Sequence, residues 1–170
     1  MSRSAPIHVE VYLFCRRAGR VRFLILRRAV GQPHPGVWQP VTGRIRRGER
    51  PSRAAAREVR EETGLEPGRW WLLERPAIYC DPATGAVRVL PLFVAEVDPR
   101  ARVRLSREHD AFRFTTPAEA ARRFLWEAQR DACAQIRRQV LPAGALARAL
   151  DITDSVARVP RPRRARGSSS

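Results

Sequence analysis

Lysine and asparagine are absent from the sequence, so apart from three histidines every basic side chain is one of 33 arginines. Against 17 acidic residues this gives a formal net charge of +16. Such a charge ordinarily suggests nucleic acid or another polyanion as partner. A chain rich in alanine and arginine but without lysine or asparagine has instead the look of GC-rich coding. Its arginines are spread along the sequence rather than gathered on one element, except at the C-terminal end. The charge favours anionic small molecules and is weak support for nucleic acid. Long apolar runs are also missing: no stretch approaches the roughly 18 residues of a membrane-spanning helix. The opening residues, MSRSAPIHVEVYLF, lack the pattern of a secretory leader. Cysteine is scarce too. Cys15, Cys80 and Cys133 are odd in number and form no C-x-x-C pair, which argues against a disulfide framework. They read as reduced, mostly buried thiols of a cytoplasmic protein. At 170 residues the chain is expected to hold one domain with one core.

Periodicity then orders the chain. Ile7 to Cys15 alternates and is rich in β-branched and aromatic residues, predicting a strand. Ala18-Gly19-Arg20 predicts a turn, and Val21 to Arg27 a second strand buried at its middle. A Gly/Pro-punctuated loop covers Val30 to Gly36, and Trp38 to Thr42 leads into the most informative stretch. Beyond it the pattern predicts a strand near Trp70 to Tyr79, a turn at Asp81 to Gly85, and one long strand from Val87 to Val97. An arginine-rich loop runs from Asp98 to Glu108, followed by a short strand, His109 to Phe114. Thr116-Pro117-Ala118-Glu119 has the form of a helix start, and a further helix spans about Trp126 to Val140. Strands flanked by helices on both sides predict an α/β/α sandwich. The domain is expected over residues 1–150. The remainder, 151–170, is too polar and Pro/Arg-rich to pack and is expected to be a disordered tail.

The stretch Gly43 to Leu65, GRIRRGERPSRAAAREVREETGL, organises the rest. Pro51 suits a first helical position, Ala54 to Ala56 are strong helix formers, and Gly64 fits the left-handed position past a helix end. Glu58, Glu61 and Glu62 stand at i, i+3 and i+4, so three carboxylates crowd one face within a turn. Like charges at that spacing repel unless a cation neutralises them, and hard oxygen donors suit Mg²⁺ or Mn²⁺. Ala55 and Val59 would turn the other face into the core. By itself, REVREE also reads as a solvated helix, with Arg57 and Glu61 an ordinary i,i+4 pair. The nine fixed positions over 23 residues, however, match without departure the pattern G-x5-E-x7-R-E-U-x-E-E-x-G-U, where U is aliphatic. This stretch resembles the Nudix box.

The resemblance implies a Nudix fold, a mixed-sheet α/β/α sandwich with a catalytic loop-helix-loop, and a hydrolase for a nucleoside diphosphate linked to another group. It further implies Glu58 and Glu62 as main metal ligands, with Glu61 and the Gly43 carbonyl close by. Glu49 would be a further carboxylate of the metal shell, and Arg57 would orient the glutamates. Outside the box, LILRR, WQPVTG, EH followed by FRF, and LWEAQRDA occur in an order similar to that of the bacterial dihydroneopterin triphosphate pyrophosphatases. That similarity implies Glu108 as a metal ligand from a separate loop and Arg27 as a phosphate contact, with Arg28 beside it. Two departures concern the substrate: Phe114 or Phe112 stands where tryptophan is usual, and the C-terminal Trp/Arg spacing differs.

Each of these residues has a second reading. Glu108 can pair with Arg104 or Arg107, one of Arg27 and Arg28 can be a surface charge, and Trp38 can be core or a platform for a base or pterin. His109 is expected to fix its loop by a hydrogen bond, and Trp126 to pack. The expected activity is Mg²⁺-dependent hydrolysis of a nucleoside triphosphate-like substrate, dihydroneopterin triphosphate or a (d)NTP, to a monophosphate and pyrophosphate. The alternatives are a diadenosine polyphosphate, nucleotide sugar or oxidised nucleotide as substrate, a nucleotide-binding domain without hydrolysis, and nucleic-acid binding through the tail.

Overall fold

The computed structural model describes residues 7–82 and 84–157. Its centre is the hairpin of β1 (His8–Arg17) and β2 (Arg20–Arg28). Ala18 and Gly19 both take positive φ, 47° and 73°. Such a two-residue turn matches the right-handed twist of the strands it joins. Along β1 the alternation decides the layers. Val9, Val11, Leu13 and Cys15 enter one apolar cluster, while Tyr12 and Phe14 enter another on the opposite face. Both faces of this strand are therefore covered by helices.

Around the hairpin lie β3 (Trp38–Gln39), β4 (Val41–Arg44), β5 (Arg69–Leu72), β8 (Leu92–Glu96) and β9 (His109–Thr115). Together they form a seven-stranded sheet among the described residues, parallel between β1 and β8 and antiparallel elsewhere. One face carries α1 (Pro51–Thr63), whose Ala54, Ala55 and Val59 are fully buried. The other carries α2 (Pro117–Arg123) and α3 (Glu127–Gln139), which contribute Ala120, Ala132, Cys133 and Ile136. This is the expected mixed-sheet α/β/α sandwich. Thr116 caps α2 as its sequence suggests, its side chain accepting from the Glu119 N–H at 3.2 Å.

Two of the expected strands are broken. Residues 70–79 divide into β5 and β6 (Ala77–Cys80), and residues 87–97 into β7 (Val87–Leu90) and β8. Strands β6 and β7 pair as a separate ribbon with Ala77 opposite Leu90, a register that would next set Pro76 against Pro91. Neither proline can donate to a ladder, so both strands leave the main sheet at the same level.

The tail boundary also moves. The chain forms α4 (Ala145–Ala149) and then α5 (Thr153–Ala157). Between them it runs along the edge of β5, where Leu72 N–H donates to the Leu150 carbonyl at 3.1 Å and Ile152 N–H to the Trp70 carbonyl at 2.9 Å. Ile152 and Val156 join the α1-side core, and Asp151 pairs with Arg69 at 3.0 Å. Residues 151–157 thus pack on the domain, contrary to a disordered tail from 151, because two apolar side chains and an exposed strand edge reward the contact. The rest of the expected tail, 158–170, lies outside the described residues. Cys15 and Cys133 are buried, Cys80 is exposed on the β6–β7 ribbon, and all three are free thiols.

Candidate active site

The site is built at the end of β4, where the chain turns into α1. Pro51 opens the helix, and Gly64 closes it in the left-handed region with φ 67°. In the turn between β4 and α1, the Arg46 N–H donates to Glu49 Oε2 at 2.9 Å. The Arg57 guanidinium then uses all five of its N–H groups. Nε donates to Glu49 Oε1 at 2.9 Å, and Nη2 to Glu49 Oε2 and the Arg44 carbonyl, both at 2.9 Å. Nη1 donates to Glu58 Oε1 at 2.6 Å and to Glu61 Oε2 at 3.0 Å. One side chain therefore ties the loop to the helix and spaces three carboxylates. It also holds the Glu49 carboxyl down at about 2, mainly through these hydrogen bonds.

The three helix carboxylates are not equivalent. Glu61 stands outside, with 49% of its side chain exposed, and also pairs with Arg46 at 3.2 Å. Glu58 leans onto β4, where its side chain occupies the space a Cβ on Gly43 would need. Only a glycine admits that approach. Burial raises the Glu58 carboxyl, partly offset by Arg57. Glu62 turns inward and is 3% exposed. Burial, then Glu108 and Glu58, push its carboxyl up to about 9. Its Oε2 is buried without a hydrogen-bond partner.

Glu108 reaches this face from the loop before β9. The loop is fastened to the end of α1, where Arg104 N–H donates to the Thr63 carbonyl at 2.8 Å and Ser106 N–H to the Glu62 carbonyl at 3.1 Å. Its exposed carboxylate lies near enough to raise both Glu58 and Glu62. His109, next in sequence, is 5% exposed, with Nδ1 3.7 Å from Glu62 Oε2 and Nε2 3.2 Å from Gln39 Nε2. Burial and the Arg28 charge depress it to about 4, so the ring is neutral at neutral pH. Glu96 pairs with Arg16 and Asp110 with Arg27.

Strand alternation separates the arginine pair. Arg28 follows Leu24 and Leu26 onto the α1 face, where its Nη1 donates to Gln39 Oε1 at 3.1 Å and its charge acts on Glu62. Arg27 follows Ile25 onto the face of α2 and α3, where it pairs with Asp110 at 2.7 Å. There the half-buried Trp38 ring lies beneath three guanidiniums, those of Arg27, Arg113 and Arg123, at 6.0, 5.9 and 5.8 Å. Trp126 does not pack as its sequence context suggests: it is 51% exposed and meets His34 edge-on at 5.7 Å. Sequence reasoning missed Gln39, Arg113 and Arg123. The period-two alternation of W-Q beside the box could have flagged Gln39, whereas the two arginines carry no local signal.

Among the described residues no three His, Cys, Asp or Glu side chains converge as a metal cage. The donor set nonetheless fits a hard divalent cation. Burial and the charges of Glu108 and Glu58 raise the Glu62 carboxyl, burial and the charges of Glu61 and Glu108 raise that of Glu58, and one Glu62 oxygen is buried without a hydrogen-bond partner. An uncompensated buried carboxylate is costly unless a cation or proton meets it.

Loop, acidic helix and covering sheet define an α/β/α fold with a carboxylate-rich helix face at the end of β4. Residues 6–136 match the family model of the NUDIX domain, and the chain belongs to that family. It is 38% identical over 124 residues to an octanoyltransferase of Myxococcus xanthus, covering 72% of this chain but only 34% of that protein. To the asymmetrical bis(5'-nucleosyl)-tetraphosphatase of Mus musculus it is 35% identical over 104 residues, 59% of this chain and 67% of that one. In fold it resembles a C. elegans Ap4A hydrolase, with TM-score 0.67, 20% identity, and 79% and 96% of the two chains covered. It also resembles the E. coli dihydroneopterin triphosphate pyrophosphohydrolase, with TM-score 0.63, 22% identity, and coverage of 77% and 94%. Among the described residues no helix is long and apolar enough to cross a membrane.

Proposed function

We propose that this chain is a Mg²⁺-dependent pyrophosphohydrolase, with Mn²⁺ able to substitute, acting in the cytoplasm on a nucleoside triphosphate-like small molecule. Dihydroneopterin triphosphate and the (d)NTPs are the leading substrates, with a monophosphate and pyrophosphate as products. The observation that carries this reading is the buried Glu62 carboxyl, pushed up by burial and by the charges of Glu108 and Glu58 and left with one oxygen that has no hydrogen-bond partner. Glu58 and Glu62 would hold the cation, with the Gly43 carbonyl, Glu49, Glu61 and Glu108 around them. When bound, the cation neutralises charge on the phosphate oxygens as the P–O bond breaks. Arg57 holds Glu49, Glu58 and Glu61 apart at fixed positions. Arg28 supplies positive charge on the same face for a phosphate. Arg27 and Trp38 offer a charged, flat surface to the rest of the substrate on the other side of β2. Glu108, the exposed carboxylate, can take the proton of the attacking water. The water oxygen bonds to phosphorus as the bond to the departing pyrophosphate breaks.

A second reading is a dinucleoside polyphosphate substrate. It is supported by the tetraphosphatase relative and by the exposed Trp126, which with His34 offers a second aromatic surface besides Trp38. The arginines remain spread over the fold, so nucleic acid is not favoured.

The test is a panel of phosphoanhydrides with Mg²⁺, read as phosphate release with and without added inorganic pyrophosphatase and as nucleotide products by chromatography. Pyrophosphate from a triphosphate supports the first reading; a mononucleotide plus a triphosphate from a dinucleoside tetraphosphate supports the second. Binding without turnover of any member would show a nucleotide-binding domain instead. Full activity in EDTA, or in Glu62→Gln, would refute the metal mechanism.

A further inference from the structure

Behind Glu62, three side chains from three strands stand in line. Arg28 Nη1 lies 3.1 Å from Gln39 Oε1. Gln39 Nε2 lies 3.2 Å from His109 Nε2 and 3.5 Å from Thr42 Oγ1. His109 Nδ1 lies 3.7 Å from Glu62 Oε2. The chemistry of the first member settles the rest. A guanidinium has donors only, so the amide of Gln39 must turn its oxygen to Arg28. Its NH₂ group then faces His109 and Thr42 and can only donate. The Nε2 of His109 must therefore present its lone pair, and a neutral imidazole with Nε2 bare carries its proton on Nδ1. That N–H faces, across 3.7 Å, the Glu62 oxygen that has no hydrogen-bond partner.

We infer that Arg28 and Gln39 fix His109 as the Nδ1–H tautomer, making it a positioning residue whose N–H is aimed at Glu62 Oε2 across 3.7 Å, just beyond hydrogen-bond length, and closes to donate to it when Glu62 takes up a cation. This rests on the role proposed above for Glu62. A carboxylate offers about four lone-pair sites. With the His109 N–H on the protein side, the other lone pairs of Glu62 stay free for a cation shared with Glu58 and Glu108, whose charges act on it. Donors of this kind fix the orientation of a ligating group, and their loss typically lowers metal affinity or activity about 10–100-fold. In this arrangement His109 is neither general base nor phosphate contact, because its acceptor nitrogen is taken by Gln39 and its protonated nitrogen faces Glu62.

The state of the ring can be read without turnover. The chain has three histidines, so His8→Gln with His34→Asn leaves His109 as its single imidazole. Long-range ¹H–¹⁵N spectra of that protein should show Nδ1 protonated and Nε2 bare. Gln39→Glu, which sets an acceptor against Nε2, should move a proton onto Nε2. A wild-type ring protonated at Nε2 would overturn the inference. A second arm uses amide geometry: an asparagine amide nitrogen falls near Nδ1, whereas that of glutamine falls near Nε2. His109→Asn should keep kcat and Mn²⁺ affinity within a few-fold of wild type. His109→Gln and His109→Ala should lose about 10–100-fold in both, with KM changed far less. Equal losses in the asparagine and glutamine variants would overturn the positioning role. Wild-type activity in Glu62→Gln would overturn the role of Glu62 itself, while the ring spectrum remains a separate result. Should a position-109 variant fail to fold, the wild-type spectrum still decides the tautomer.

Discussion

Glutamine at position 62 is expected to stabilise this protein when divalent cations are removed, and to do so increasingly as pH rises. The Glu62 carboxyl, 4.5 in its ordinary state, is pushed up to about 9 by burial and by the neighbouring charges of Glu108 and Glu58. A carboxyl raised in the folded state contributes stability that is fully present below its unfolded value. That contribution is lost as pH rises through the folded value. Each tenfold gain in the carboxyl's affinity for its proton is worth about 1.4 kcal/mol, so the full excursion from about pH 4.5 to about pH 9 is about 6 kcal/mol, of which about 3 kcal/mol is lost by pH 7. Glutamine keeps the shape and cannot ionise. Against it stands one weakened hydrogen bond, about 1 kcal/mol and independent of pH over this range. For a domain of this size 1 kcal/mol moves Tm by about 2–4 °C. In EDTA the Glu62→Gln protein should therefore melt several degrees above wild type near pH 7, with the gap widening toward pH 9 and closing near pH 5. Thermal melts followed by circular dichroism at stepped pH would measure it. Saturating Mg²⁺ or Mn²⁺ should raise the wild type and leave the variant nearly unmoved, narrowing or reversing the order. A gap between the two proteins that stays constant with pH would refute the reasoning, for Glu62 would then be ionised at little cost.

Gly43→Ala should force Glu58 away from β4 and from Arg57, lowering Mn²⁺ affinity at least tenfold for a stability loss of about 1–3 kcal/mol; unchanged affinity by calorimetry would show that Glu58 does not need that approach. Glu108→Gln should lower kcat with KM changed far less and raise the metal requirement, while Arg107→Ala, which alters charge beside it, should do neither; parallel behaviour of the two would make Glu108 a surface residue. Ending the chain after Leu150 removes Ile152, Val156 and the Asp151–Arg69 pair, so unfolding free energy should fall by about 3 kcal/mol or more, whereas ending it after Ala157 should preserve both stability and turnover of a small nucleotide. Equal stability of the two truncated proteins would show that α5 contributes nothing.

The sequence by itself determined what short-range rules control. Pro51 and Gly64 mark the two ends of α1 because proline fixes the φ a first turn needs and glycine alone takes a left-handed end at no cost. The alternation of β1 and β2, the Ala18-Gly19 turn and the Thr116 cap were legible for the same reason, as was the spacing that sets Glu58, Glu61 and Glu62 on neighbouring turns. The family followed from nine residues in that one stretch. Tertiary structure decided the rest. Helical spacing brings three carboxylates together but cannot say which is sealed from water. Glu62 is buried and Glu61 is not because the 98–108 loop closes over one side of α1. Pro76 and Pro91 interrupt two strands because pairing sets them at one level, a fact of register that neither segment contains. Arg27 and Arg28, adjacent in the chain, serve opposite faces of the sheet. Residues 151–157 fold because a bare edge of β5 and a gap beside α1 await them. The line from Arg28 through Gln39 to His109 joins residues far apart in the chain, and only strand pairing sets its members within hydrogen-bond reach.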